Sequence, residues 1–391
     1  MIDAAAQPFT TDGCQLDDLI RIVDVPTKPD DHPRALTVEL GVPIYDSQAL
    51  RAATESADGS VAVRGEIAMA LLDGPGIIVV RDTVPRDVVD RATGAFQTMI
   101  AEQRAGEGTG GDHFAAPGAN DRVWNAMQKL AVADPAAFVD YYASDAISVV
   151  ASAWLGPAYQ ITSQVNLVNP GGQAQAPHRD YHLGFMSESL ATEFPAYVHR
   201  LSPILTLQGA VAHCHMPVES GPTKYLPHSQ KYEPGYLAWR RPDFIEYFER
   251  NHVQLPLETG DAVFFNPAVF HAAGTNRTTD VARMANLLQI SSAFGRAMET
   301  LDRQAMIIAV YPILLERIAA GMPDRAVESI VAATAEGYAF PTNLDRDQPV
   351  DGLSPPCQAD ILWSALDESW TSGRLCSELA EHRHRHTTEP R

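Results

Sequence analysis

A histidine and an aspartate separated by one residue, His178-Arg179-Asp180, with a second histidine, His271, far downstream, constrain this chain more than any other feature. Side chains alternate along an extended strand, so residues 178 and 180 point the same way. His271 must then arrive from a segment remote in sequence and adjacent in space, as neighbouring strands of a barrel are. The text around it fits. Gly260-Asp261-Ala262-Val263-Phe264-Phe265 reads as a turn and an apolar strand, Asn266-Pro267 breaks it, and Phe270-His271 opens the next strand. Two imidazoles and one carboxylate can occupy one face of an octahedral Fe(II), leaving the opposite face for a co-substrate and O₂. His178, Asp180 and His271 are therefore the candidate metal ligands and catalytic residues.

The rest of the pattern sets the expected fold class: mainly β with flanking helices, around a double-stranded β-helix (jelly-roll, cupin-like) core. Short β-rich segments separated by turn residues run over 159–168, 178–185, 203–216, 222–227, 253–257, 261–266, 269–273 and 284–292, the spacing of a jelly roll. Upstream, a helical stretch from about 63 to 72 precedes Ile77-Ile78-Val79-Val80, a buried strand. A helix from about 84 to 103 follows, then a Gly-rich loop over 106–118 and helices over 121–132 and 135–154. Residues 229–250 form an aromatic-rich insert, a candidate lid. The expected organisation is an N-terminal extension (1–60), a double-stranded β-helix domain with helical support (61–295) and a C-terminal helical extension with a flexible tail (296–391). The tail His382-Arg383-His384-Arg385-His386 reads as solvated, with a metal tract as the alternative. The C-terminal helices could serve as a homodimer contact or as a brace for the barrel.

Composition narrows the function classes. A net charge of −20, from 49 acids against 29 Lys and Arg, argues against nucleic acid and anionic membranes, which need clustered cations. No run of apolar residues is long enough for a transmembrane helix, and the first residues lack a signal-peptide pattern, so a cytoplasmic location is expected. Cys14, Cys214, Cys357 and Cys376 form no CxxC pair and read as free thiols.

A dicarboxylate that chelates iron through its keto-acid end buries a distal carboxylate, which needs a cation; arginine offers a bidentate fork. Arg283, which opens the apolar strand Met284 to Ser291, is the favoured anchor. Arg277, in the turn Gly274 to Asp280, is the other.

With these stretches in hand, the chain resembles the phytanoyl-CoA dioxygenase family of Fe(II)/2-oxoglutarate-dependent oxygenases. The stretches are Pro177-His178-Arg179-Asp180, Glu219 to Ser229, Gly260 to Phe265, and His271-Ala272-Ala273-Gly274-Thr275-Asn276 followed by Arg283. The resemblance covers roughly 65–295. It implies a jelly-roll core, Fe(II) on His178, Asp180 and His271, and 2-oxoglutarate held partly by Arg283. It also places Asn166 as a polar 2-oxoglutarate contact, with Thr206 and Gln208 as weaker ones. Where the family often has Pro-Gly-Ser-His, this chain has Pro227-His228-Ser229-Gln230. A carboxylate at 180, where related halogenases have a small residue, implies oxygenation over halogenation. Tyr181, Phe185, Trp239 and Phe270 are candidates for an apolar substrate wall.

The implied reaction couples decarboxylation of 2-oxoglutarate, giving succinate and CO₂, to oxidation of an aliphatic C–H bond of a small molecule, with hydroxylation the default. A free metabolite, such as a natural-product intermediate, is favoured over a CoA thioester; Arg240-Arg241 is the one basic pair that could meet a diphosphate. Two other classes stand beside this reading. One is a cupin-like isomerase or lyase using its metal as a Lewis acid without 2-oxoglutarate. The other is a jelly-roll binding protein without activity.

Overall fold

The four residues Ile77-Ile78-Val79-Val80 are all buried, although alternate side chains of a strand point to opposite faces. Ile78 and Val80 join one apolar cluster with helices, and Ile77 and Val79 join another with a second sheet. That strand therefore lies in a sheet covered on both sides, and the rest of the molecule is built around the same division.

The computed structural model describes residues 8–106, 119–349 and 352–387. Its strands are β1 (Thr37–Glu39), β2 (Val42–Asp46), β3 (Ile77–Arg81), β4 (Asn120–Val123), β5 (Gln160–Val168), β6 (Thr206–Ala212), β7 (Lys224–Leu226), β8 (Val253–Gln254), β9 (Ala262–Phe265), β10 (Phe270–Ala272) and β11 (Arg283–Ser291). Eight of them form a major sheet in the order β1-β2-β3-β9-β6-β11-β5-β4; β10-β7-β8 form a minor sheet. All pairings are antiparallel except β2 with β3. The inner face of the major sheet packs on the minor sheet through Val79, Ala210, Val263 and Phe265 against Tyr225. The outer face carries Ile78, Val165, Leu207, Val211, Phe264, Leu288 and Ile290 and is covered by helices.

The Gly260-Asp261 turn is held by its own chemistry. Gly260 sits at φ +98, and a Cβ there would come within 2.3 Å of the Val84 carbonyl oxygen, so only glycine fits. The Asp261 carboxylate accepts hydrogen bonds from the amides of Asp82 and Glu258. Its role is to tie a turn.

Several expectations need correction. Helices hold 46% of residues and strands 16%, so two facing sheets are embedded in helices and the chain is not mainly β. The helix expected over 121–132 starts at Ala126; before it, Asn120–Val123 is the edge strand β4. The strand expected over 178–185 is a single bridge, His178 with His271, followed by turns with Tyr181 and His182 at positive φ. The tail is not loose as far as residue 387: Ser372–His386 is a helix with His382 buried. The 107–118 part of the Gly-rich stretch lies outside the described residues.

The expected join at 60/61 falls inside the helix Ala57–Leu72, and β1 and β2 extend the major sheet. Beyond 296, helices Arg303–Ala319, Asp324–Thr334, Gln358–Asp367 and Ser372–His386 contribute Met306, Val310, Ile330, Leu362 and Leu375 to the outer-face cluster. The insert is likewise built in: Tyr232, Phe244 and Phe248 pack with Cys14 and Leu19 of the N-terminal segment. Among the described residues no helix is long and apolar enough to cross a membrane.

Candidate metal centre and its cavity

His178 and His271 face each other across a two-way backbone bridge, His178 N–H to His271 O at 2.9 Å and His271 N–H to His178 O at 3.1 Å. Their rings are 4.5 Å apart. Asp180 completes the group: its Oδ1 is 3.5 Å from His178 Nε2 and its Oδ2 3.4 Å from His271 Nε2. Neighbouring ligands of an octahedral ion with ~2.1 Å bonds lie about 3.0 Å apart, so small side-chain rotations close this set on a cation. Both tautomers are fixed. His178 Nδ1 is 2.9 Å from the Ala176 carbonyl and His271 Nδ1 2.9 Å from the Val269 carbonyl. A carbonyl only accepts, so each Nδ1 carries the proton and each Nε2 turns a lone pair inward, as metal-bound histidines require.

Burial pulls the His178 imidazole below its usual pKa, keeping it neutral. Burial acts to raise the Asp180 carboxyl, while positive charge on the facing His178 and His271 rings, when they carry it, and the Gln208 N–H donor act the other way and hold it below the usual carboxylate range. Gln208 Nε2 donates to Asp180 Oδ2 at 2.6 Å, and Tyr236 Oη donates to the Asp180 carbonyl at 3.0 Å.

Arg179, between the two ligands, points away from them into the core and is 2% exposed. Its guanidinium donates to the carbonyls of Ser229 and of Tyr232 (2.8 Å for the latter) and lies over the rings of Tyr236 and Phe270. A Cβ at Gly235 would fall 2.0 Å from its Cζ, so the insert carries glycine where that head group passes. Arg179 thus bolts the ligand segment to the insert.

The triad opens onto a cavity of about 580 Å³. Arg283, Asn166, Gln208, Phe185 and Trp239 line it, together with Gln164, Gln289, Tyr225 and Met298, which sequence reasoning missed. Arg283 is buried and makes no side-chain hydrogen bond or ion pair among the described residues; burial lowers its pKa to about 10. The missed glutamines had a signal. Gln164 and Asn166 share one face of β5, and Gln208 and Gln289 stand opposite each other on β6 and β11.

Four proposed residues lie elsewhere. Arg277 is exposed in its turn and does not reach the cavity. Thr206 is buried at the far end of β6, its carbonyl bonded to Trp154 Nε1. Phe270 alternates with His271 and so faces the apolar cluster behind it. Tyr181, at φ +71, buries its ring against His182 and Phe185 outside the cavity.

Residues 72–285 match the family described as phytanoyl-CoA dioxygenase (PhyH). The chain belongs to that family. This phytanoyl-CoA dioxygenase family member is 26% identical over 231 residues to dioxygenase trt7 of Aspergillus terreus (strain NIH 2624 / FGSC A1156), covering 58% of this chain and 73% of the relative. Similar solved structures include the epimerase SnoN in complex with Fe³⁺, alpha ketoglutarate and nogalamycin RO, at 19% identity and a TM-score of 0.42, covering 61% of this chain and 87% of SnoN. Another is the alpha ketoglutarate dependent carbocyclase SnoK from nogalamycin biosynthesis, at 18% identity and a TM-score of 0.39, covering 62% and 86%. The family member is an Fe(II)/2-oxoglutarate-dependent enzyme of oxygenase type. The Lewis-acid isomerase and the inactive binding protein are thereby set aside.

Proposed function

We propose that this protein oxidises, by hydroxylation, an aliphatic C–H bond of a free amphipathic small molecule. His178, Asp180 and His271 would hold the iron, and Arg283 would hold the distal carboxylate of 2-oxoglutarate. The observation that carries the reading is the pairing within one cavity of a His-Asp-His set and a buried arginine without an acidic partner. A buried cation in that state is costly, and a dicarboxylate relieves the cost through a charge-assisted fork. Bound iron supplies O₂ activation.

The chain's own residues do the rest. The Ala176 and Val269 carbonyls hold the ring protons at Nδ1. Gln208 fixes the Asp180 carboxylate by an N–H bond to Oδ2. Arg283 orients the co-substrate, and the walls keep water from the reacting bond. A cavity of about 580 Å³ exceeds the needs of a five-carbon diacid, leaving room for a substrate. Gln164 Nε2, Asn166 Oδ1 and Trp239 Nε1 are buried without partners, which suits an oxygenated body. Phe185 and Met298, both exposed, give the rim an apolar character.

A free metabolite is favoured over a CoA thioester because the basic pair in the insert is already engaged. Arg240 stacks on Trp239 and donates to the Met186 carbonyl, and Arg241 pairs with Asp243. The test is succinate formation by iron-loaded protein given 2-oxoglutarate and O₂, with a panel of oxygenated amphipathic small molecules screened for stimulation and for a product one oxygen heavier. Iron-dependent succinate and a hydroxylated product support the reading. Binding of 2-oxoglutarate unchanged in Arg283→Met would sink the anchor.

A further inference from the structure

The C-terminal helix Ser372–His386 carries His382 and His386 four residues apart, on one face. That face meets Asp347. His386 Nε2 lies 3.2 Å from Asp347 Oδ2, the two imidazole rings are 4.1 Å apart, and one ligand atom from each of the three residues lies within 4.8 Å of the others. Asp347 and His382 are buried, and His386 Nε2 is itself buried without a hydrogen bond although it faces a carboxylate.

Three features distinguish this group from an ordinary ion pair. The carboxylate is oriented from behind: Arg385 Nε donates to Oδ1 at 2.8 Å and Thr342 Oγ1 to Oδ2 at 3.1 Å, the supporting bonds a ligating carboxylate needs. His382 Nε2 lies 3.2 Å from the Pro356 carbonyl, which places its proton on Nε2 and leaves the Nδ1 lone pair bare. Finally, the 3.2 Å between His386 Nε2 and Asp347 Oδ2 matches the edge, about 3.3 Å, of a tetrahedron with bonds of ~2.0 Å.

We propose that Asp347, His382 and His386 form a second metal site, for a divalent ion of the zinc class, that clamps the C-terminal helix to the turn at 343–347. Two imidazoles and one carboxylate select zinc, cobalt, nickel or copper over magnesium and calcium. Arg385 occupies Oδ1, so the ion takes Oδ2. The site shares no residue with the iron centre, and its effect is on stability: an ion bound only by the folded chain raises the unfolding temperature.

The test titrates metal-free full-length protein with Co²⁺, whose visible bands report nitrogen and oxygen ligation, and follows thermal unfolding with and without Zn²⁺. Wild type binds two equivalents. His382→Gln/His386→Gln binds one, and His386→Gln alone binds Co²⁺ at this site more than about ten-fold more weakly. His384→Gln, two residues from each histidine of the cluster, retains two. In the His271→Ala background, which disables the iron centre, the Zn²⁺-dependent rise in unfolding temperature persists, and adding His382→Gln/His386→Gln abolishes it. A single equivalent in wild type would overturn the proposal. So would equal weakening by His384→Gln, which would mean loose chelation by the histidine run.

Discussion

The two faces of the major sheet are made from the same strands and differ in what their polar groups lack. On the outer face, polar side chains bond to one another. Asn286 donates to Tyr141 and Tyr142, Tyr141 Oη meets His213 Nε2 at 2.9 Å, and His213 Nδ1 meets Thr93 Oγ1 at 2.8 Å. On the inner face, Arg283 has no acidic partner, and Gln164 Nε2, Asn166 Oδ1 and Gln208 Oε1 are buried without hydrogen bonds. Buried polar groups are ordinarily satisfied. Save for Asn286 Oδ1, which is buried without a partner, the outer face is bonded within the folded chain, whereas the inner face leaves a cation and several amide atoms for something bound. Substitutions on one face should cost stability, and on the other, ligand binding.

The largest effect is expected at the triad. His178→Ala and His271→Ala should each reduce iron-dependent succinate formation to background while leaving the folded spectrum in circular dichroism unchanged. Retained turnover in either would break the assignment of the inner face. Arg283→Met comes next. It should weaken 2-oxoglutarate binding by about 2–5 kcal/mol, roughly 30-fold or more in Kd, without lowering the unfolding temperature of the ligand-free protein. A buried unpaired charge replaced by an apolar side chain is neutral or stabilising.

Arg179→Met sharpens the contrast, because one terminal nitrogen of this equally buried arginine donates to the carbonyls of Ser229 and Tyr232, although its Nε has no partner. Its loss should destabilise the fold by roughly 2–5 kcal/mol, read from denaturant midpoints, since two carbonyls lose their donor. Equal stability effects at 179 and 283 would erase the distinction.

What the sequence made legible follows the same division. The His-Asp-His cluster was readable because metal chemistry admits few residue types, and His178, Asp180 and His271 stand at spacings that a two-sheet fold can close. Arg283 was readable as a charge entering an apolar strand. Gln164 and Gln289 were not singled out, since a glutamine in a strand carries no signal unless one knows which face is hollow. Phe270 and Tyr181 misled for the reverse reason: an aromatic beside a ligand looks like a wall, yet alternation turns Phe270 into the core and positive φ turns Tyr181 aside. The short run 120–123 read as the start of a helix because its edge-strand identity comes from pairing with β5, a long-range fact. The histidine run read as a solvated tail because its burial depends on Asp347 and Pro356, far away in the chain.

A smaller effect is expected at Gln208, which touches a proposed ligand. Gln208→Leu removes the donor to Asp180 Oδ2, and iron affinity should fall about 10–100-fold, as it does when supporting bonds to metal ligands are lost. Saturating iron should restore most of the turnover. A defect that iron does not rescue would move Gln208 from positioning the carboxylate to contacting a bound molecule.

The smallest effect at neutral pH lies on the outer face, at His213. Thr93 Oγ1 donates to the Val89 carbonyl and so accepts from His213 Nδ1, leaving Nε2 to accept from Tyr141 Oη. The network therefore requires a neutral imidazole, and burial pulls the His213 pKa down to about 3. With the folded pKa below the unfolded value, the stability tied to the neutral ring is intact above pH ~6.5 and is lost as pH falls toward 3, because only the unfolded chain takes up the proton. His213→Gln should make the pH dependence of unfolding shallower by about one proton, up to ~1.4 kcal/mol per pH unit between those limits. Its own cost should appear at pH 7, where the wild-type ring is neutral in both states. Urea midpoints at pH 7, 6 and 5 for the two proteins decide it. Parallel lines would mean that the outer face tolerates a charged imidazole, and its polar groups would then be as open to change as those of the cavity.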